Sequence, residues 1–211
     1  GETPLMMAAS WNPNPAVINV LLEEGADVNA RNQDGITALM WAAWKNENIE
    51  EIKALLAAGG DVNARSKAGN TPLMMAAKYR RNWIIAKTLL DAGADVNAQT
   101  NEGYTPLMEA IRGSNGLEVI TTLIEAGAAV NPLRPGQLGP LAVAAIYNKD
   151  AIVIKILLWA GADIDTTSNE EGLNPLALAA HHNNSVAIYA LLEAGANVHI
   201  TDAYGITALM R

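Results

Sequence analysis

The stretch GADVNARNQDGITALMWAA, Gly25 to Ala43, opens on a glycine, crosses a polar segment and ends in an apolar run led by a threonine. Both of its marks recur. The variants GETPL, GITAL, GNTPL and GYTPL place threonines at Thr3, Thr37, Thr71 and Thr105, each 34 residues after the last. Gly-Ala-Asp-Val-Asn and its close variants place glycines at Gly25, Gly59, Gly93, Gly127, Gly161 and Gly195, again 34 apart. Two independent marks in one register, sustained from end to end, define an array of repeated units.

Local physics builds the unit. Thr-Pro starts a helix: the threonine oxygen accepts from a free amide, and proline fits the first turn because its missing N–H costs nothing there. Leu39, Ala42 and Ala43 then share one helix face, with counterparts Leu73, Ala76, Ala77 and Leu141, Ala144, Ala145. Small alanines let a second helix approach closely. That helix starts eleven residues before the glycine, at Asn14, Asn48, Asn82, Gly116, Asp150 and Asn184, all favourable capping types. It buries Ile52, Leu55 and Leu56 and ends at Gly59, where glycine accepts a left-handed backbone. No such helix pair buries its apolar face alone, so neighbours must stack.

Thr-Pro-Leu, the Ala-Ala pair, the Leu-Leu pair and Gly-Ala-Asp-Val-Asn-Ala, in this order, resemble ankyrin repeats across the whole chain. The resemblance implies an all-α ankyrin-repeat solenoid of stacked antiparallel helix pairs joined by hairpin-like fingers. Six pairs are expected, starting near residues 3, 37, 71, 105, 139 and 174, with the start of a seventh at GITALMR. Residues 1–211 then read as one domain with units at 1–32, 33–66, 67–100, 101–134, 135–168 and 169–202, and a partial unit at 203–211. Three departures stand out. Met6, Met40, Met74 and Met108 (later Ala142 and Ala177) replace the histidine that usually follows Thr-Pro-Leu, so soft packing takes the place of a hydrogen bond. The first five units carry one residue more than the sixth, which should lengthen the loop between their helices. The fifth enters through NPLRPGQLGPL, with Gln137 at the glycine position and Gly139 at the threonine position, so its turn should not copy the others. The first unit lacks its preceding turn and the last stops inside its first helix, which suggests a slice of a longer protein or disordered flanks. These departures loosely resemble bacterial ankyrin proteins and do not resemble a uniform consensus design.

Composition narrows the partners. Half the residues are apolar, yet no run of 18 apolar residues is free of charge, which points to a soluble chain without a membrane span. With 14 basic and 22 acidic residues the net charge is −8, so phosphate backbones are repelled and nucleic acid is not an expected partner. There is no cysteine, hence no disulfide and no thiolate metal site. The chain opens with Gly1 and no signal-like segment; neither that start nor the cysteine count identifies a compartment.

The few aromatics are placed unevenly. The core direction of the first helix lies between Ala42 and Ala43, which puts Trp41 and Trp44 about 150° away on the back face. In ankyrin-like arrays that face lines the concave surface and the turns extend it. The equivalent triplets are Met7, Ser10, Trp11; Trp41, Trp44, Lys45; Met75, Lys78, Tyr79; Glu109, Arg112, Gly113; Val143, Ile146, Tyr147; and Leu178, His181, His182. Asp34, Ile36, Tyr104, Glu170, Glu171 and Tyr204 add finger tips. Seven of the ten Trp and Tyr residues fall on this face or its fingers, leaving Trp83, Trp159 and Tyr189 elsewhere. Aromatic anchors dominate many protein interfaces. The expected contact residues are therefore Trp11, Trp41, Trp44, Lys45, Met75, Lys78, Tyr79, Tyr104, Arg112, Tyr147, His181 and His182. They form a groove with an apolar end at Trp11, Trp41, Trp44 and Tyr79 and a charged middle at Lys78, Arg80, Arg81 and Arg112. The bland reading is lateral packing of these side chains between units. Neighbouring histidines on a helix diverge by about 100°, so His181 and His182 read as surface residues and no metal is expected.

Catalysis has no visible seat: there is no nucleophile elbow, Walker loop, HExxH or EF-hand loop. The carboxylates recur at repeat-equivalent positions, among them Asp27, Asp61, Asp95 and Asp163, whereas an active site needs a unique constellation. A non-catalytic scaffold that binds a partner protein, without cofactor and as a monomer, is the leading expectation. The alternatives are a small-ligand receptor with a sugar stacked on Trp41 and Trp44, and a spacer or targeting arm of a larger enzyme. The DVNA turns also resemble substrates of asparaginyl hydroxylation, which would fall on Asn29, Asn63 and Asn97.

Overall fold

The computed structural model describes residues 1–12, 14–45, 48–79, 83–113, 116–168 and 171–210. Among these residues the elements are helices in pairs: α1 (Pro4–Trp11) with α2 (Pro15–Glu23), α3 (Ala38–Lys45) with α4 (Ile49–Ala57), and α5 (Pro72–Tyr79) with α6 (Trp83–Asp91). Then come α7 (Pro106–Arg112) with α8 (Leu117–Glu125), α9 (Pro140–Tyr147) with α10 (Ala151–Trp159), and α11 (Pro175–His181) with α12 (Ser185–Glu193). A 3-10 turn, Ala208–Met210, stands where a seventh pair was expected to begin. No helix among the described residues is long and apolar enough to cross a membrane. Asn82, expected as a cap, lies outside the described residues, as do Arg80, Arg81 and Glu170.

The helices fall into two compact units, Gly1–Pro106 and Leu107–Arg211. In the first, α1, α3 and α5 pack side by side and α2, α4 and α6 form a second row behind them. In the second, α9 packs on α11 and α10 on α12. The alanine seam explains the close approach. Leu39, Ala42, Ala43, Ile52 and Leu55 are sealed from solvent, as are Leu141, Ala144, Ala145 and Leu157. Each buried leucine contributes roughly 1.5–3 kcal/mol. Leu56, expected in the core, is only half-buried; one position past Leu55, it has rotated toward the edge of the helix pair. Met6, Met40, Met74 and Met108 are all buried, filling the histidine position with flexible apolar volume.

Caps fix the helix starts. Thr3, Thr37 and Thr71 accept through Oγ1 from the amides of Met6, Met40 and Met74, each at 3.3 Å. Asn14, Asn48, Asp150 and Asn184 accept from the first turn of α2, α4, α10 and α12. Gly116 and Gly139 give α8 and α9 no side-chain cap. The glycines that close the second helices have φ between +85° and +93°, the left-handed conformation expected of them.

The polar turns are tied to one another unit by unit. Asn29 donates through Nδ2 to Gly59 O (2.9 Å) and accepts at Oδ1 from Asp61 N (2.8 Å). Asn63 repeats both bonds with Gly93 O and Asp95 N, and Asn131 repeats them with Gly161 O and Asp163 N. Arg31 reaches Arg65 O and Arg65 reaches Gln99 O. The turn asparagines thus supply the hydrogen bonds that these loops lack internally.

The fifth entry turn departs as expected. In the other turns the positive φ belongs to Gly35, Gly69 and Gly103 at the fourth position; here it moves to Gly136 (φ +75°) at the third, behind Pro135. Proline then glycine is the order a type II turn requires, and the Gln137 N to Arg134 O bond closes it at 3.2 Å. The extra residue of the early units is a partial correction. Only between α7 and α8 does it widen the connection; α9 is instead one residue longer than α11. The fifth connection leaves its helix through the extended Asn148, whereas the shorter sixth unit turns through Asn183 in a left-handed conformation (φ +53°).

Gly60 occupies a register where the other units carry Ala26, Ala94, Ala128, Ala162 and Ala196. A Cβ built there lies 2.8 Å from Leu55 O, which suggests a clash. Yet Gly60 N donates to Leu55 O at 2.9 Å, and Ala26, Ala94, Ala128, Ala162 and Ala196 make the equivalent bond at 2.9–3.0 Å. The fold therefore accepts that methyl with a small shift. Gly60→Ala is expected to raise unfolding free energy by about 0.5 kcal/mol through the unfolded chain. Urea denaturation showing a loss of stability would mean the second repeat differs from the other repeats at this turn.

Candidate functional site

The back faces of α1, α3 and α5 converge on one aromatic cluster. Trp41 and Trp44, one turn apart on α3, stack with ring centroids 5.0 Å apart and planes 9° from parallel. Tyr79 on α5 lies 5.1 Å from Trp44, tilted by 34°. The Lys45 ammonium sits 4.3 Å over the Trp44 ring and 5.6 Å from the Trp11 ring of α1, and Lys78 sits 5.2 Å over Tyr79. Offset stacks of this kind contribute roughly 0.5–1.5 kcal/mol beyond buried area, and ammonium–ring contacts about 0.5–1 kcal/mol at exposed sites. The cluster joins three consecutive helix pairs.

Exposure grades across it. Trp11 is 74% and Tyr79 45% exposed, while Trp41, Trp44, Lys45 and Lys78 are half-buried. The tryptophans of α3 are thus neither core residues nor free rings; they form the floor from which Trp11 and Tyr79 project. An open groove of about 560 Å³ runs beside Trp11, lined by Met7, Val17 and Leu21. The expectation for Met75 is corrected: it is 7% exposed and belongs to the packed interior. Glu109, Val143 and Leu178, at the same register, are buried too, whereas Met7 of the first pair is exposed. On α5, lateral packing against α3 covers this position.

The Trp41 Nε1–H is covered by protein yet meets no acceptor there. A buried donor left without a partner costs roughly 1–3 kcal/mol. Trp41→Phe keeps a ring for Trp44 to stack on and removes that donor, so stability is expected to hold within about 0.5 kcal/mol or rise. A large drop in thermal midpoint would show that the indole has a hydrogen-bonding role.

In the second unit the same face is sparser. Arg112 lies 5.6 Å from the Tyr147 ring and 3.9 Å from the buried Glu109 carboxylate. His181 and His182 are exposed, edge to face at 5.1 Å. Among the described residues no group of three or more His, Cys, Asp or Glu side chains is arranged to hold a metal. Tyr104 is half-buried and Tyr204 exposed in their turns.

Two further rings stand outside the expected contact face, on the second helices: Trp159 is 90% and Tyr189 71% exposed. The register held a signal. The Trp159 position is Glu23, Ala57, Asp91, Glu125 and Glu193 in the other units, and the Tyr189 position is Asn19, Lys53, Lys87, Thr121 and Lys155. Folding does not require an aromatic at either place.

Stacked helix pairs, laddered turns and an aromatic first-helix face define a repeat scaffold. The comparisons agree: the family model for ankyrin repeats matches in three copies, over residues 1–66, 39–133 and 141–211, and the chain belongs to that family. The ankyrin repeat domain of human ASB11 is 27% identical, superposes with a TM-score of 0.84, and is matched over 99% of this chain and 90% of its own. The ankyrin repeat domain of Bcl-3, a member of the IκB protein family, gives a TM-score of 0.81 at 24% identity over 100% and 93%. No curated protein sequence matches the chain. Ankyrin repeat domains are generally protein–protein interaction modules and typically non-catalytic.

Proposed function

We propose that residues 1–211 act as one non-catalytic interaction domain that grips a partner protein through the back faces of its first helices, with the Trp11–Lys45–Trp44–Tyr79 cluster as the principal anchor. The observation that supports this reading is that the rings are held together rather than scattered. Two stacked tryptophans form a rigid floor, and two further rings stand above it in solvent. Rigid aromatics give up little side-chain entropy on binding, which is why they dominate interface energetics. A purely structural spacer does not need Trp11, which is mostly solvated.

The test is a comparison of two exposed tryptophans on different faces. With a partner captured on the intact chain, Trp11→Ala is expected to weaken binding about tenfold, while Trp159→Ala on the second helices leaves it unchanged. Both side chains are solvent-exposed, so neither change threatens folding. Equal affinity of both variants and the parent protein would remove the aromatic cluster from the interface.

A further inference from the structure

Resting on that reading of the aromatic face, the charge around the cluster also defines what binds it. The chain carries 22 acidic residues and a net charge of −8, yet α1, α3 and α5 contain no aspartate or glutamate. Their only ionisable cations are Lys45 and Lys78, and both ammoniums are laid against the cluster's own rings. Apart from Glu2 ahead of α1, the described acidic residues of this unit fall on second helices and turns, including Glu23, Glu50, Asp61 and Asp91. Exposed aromatic faces ordinarily attract cations. Here the chain's own ammoniums already occupy that role, so an incoming lysine or arginine meets like charge where it would seek a ring. A carboxylate placed next to an apolar side chain meets the opposite situation: the apolar group lies on Trp11 or Tyr79 and the carboxylate faces Lys45 or Lys78. We infer that the first-helix face of residues 1–106 recognises an acidic, apolar peptide segment, one that combines Asp or Glu with large hydrophobic side chains.

Charge complementarity of this kind acts on partner choice and encounter rate more than on depth of binding.

The test uses the full chain and a random dodecapeptide library displayed on phage. Selections run in parallel on the parent protein and on a Trp11→Ala, Tyr79→Ala variant, whose changes are confined to exposed rings; circular dichroism verifies its fold. Peptides enriched only on the parent define the aromatic face. They are expected to carry net negative charge with at least one Leu, Ile, Met, Phe or Trp. Their Kd is expected to rise about fivefold in a Lys45→Gln, Lys78→Gln variant, and to rise with added salt. Face-dependent peptides that are neutral or basic overturn the charge inference and leave the docking face standing. Selections that return the same peptides from parent and variant overturn both.

Discussion

Asn184→Ala is expected to lower the unfolding free energy of the second unit by about 3 kcal/mol. The side chain does three things at once from a buried position. Its Oδ1 accepts from Ala187 N at 3.2 Å and caps α12, while its Nδ2 donates to Ala145 O at 2.9 Å and to Asn148 O at 2.7 Å. Ala145 O belongs to the last turn of α9, where helix carbonyls have run out of intrahelical donors. Asn148 in turn donates to Ile111 O of α7 at 3.1 Å, so two amides carry a buried chain of bonds from one unit of the repeat to the next. Truncation removes a cap worth about 1 kcal/mol and strands two buried carbonyls at roughly 1 kcal/mol or more each. Asn184→Ser, which retains only the cap, should recover about a third of the loss. Hydrogen exchange should show the last turn of α9 opening first. By contrast Asn29→Ala, in the exposed turn ladder, is expected to cost about 1 kcal/mol because water can replace its bonds. A loss for Asn184→Ala no larger than that of Asn29→Ala would mean the buried chain contributes nothing beyond an ordinary turn.

The difference between these two asparagines also marks what a sequence can reveal. Asn29 was readable as a turn residue because Asn63, Asn97 and Asn131 repeat it, and repetition with a fixed period identifies a backbone role. Asn184 was readable as a cap for the same reason. Its second role, as donor to the helix end of the preceding pair, was not, since it depends on Asn148 leaving α9 in an extended conformation. The aromatic face follows the same division. Helical spacing placed Trp41 and Trp44 on one back face, because 3.6 residues per turn fix the angle. It did not say that Met75, at the Trp41 register, would be covered; that depends on how closely neighbouring first helices pack, which spacing along one helix does not encode. Gly139 and Gln137 announced an irregular turn because they break the register, and Pro135-Gly136 supplies the alternative geometry. Periodicity thus reports what every unit needs, and departures from it report what only one unit does.

Trp44→Ala is expected to reduce affinity for the bound partner about 30-fold, which corresponds to about 2 kcal/mol. Trp44 is the centre of the cluster: it touches Trp41, Tyr79 and Lys45, so its loss removes the floor under Tyr79 and the ring that holds the Lys45 ammonium. The same contacts imply a stability cost of about 1–2 kcal/mol, so affinity must be measured on protein shown to be folded. The two effects separate in Trp44→Phe. A phenyl ring keeps a stacking partner for Trp41 and recovers most of the stability, but it offers a smaller floor and a weaker seat for the ammonium, so affinity should remain reduced by about fivefold. A structural role alone predicts a different pattern, in which affinity follows stability and Trp44→Phe restores both together. Binding that is unchanged in folded Trp44→Ala protein would leave these rings as packing between units and move the interface elsewhere.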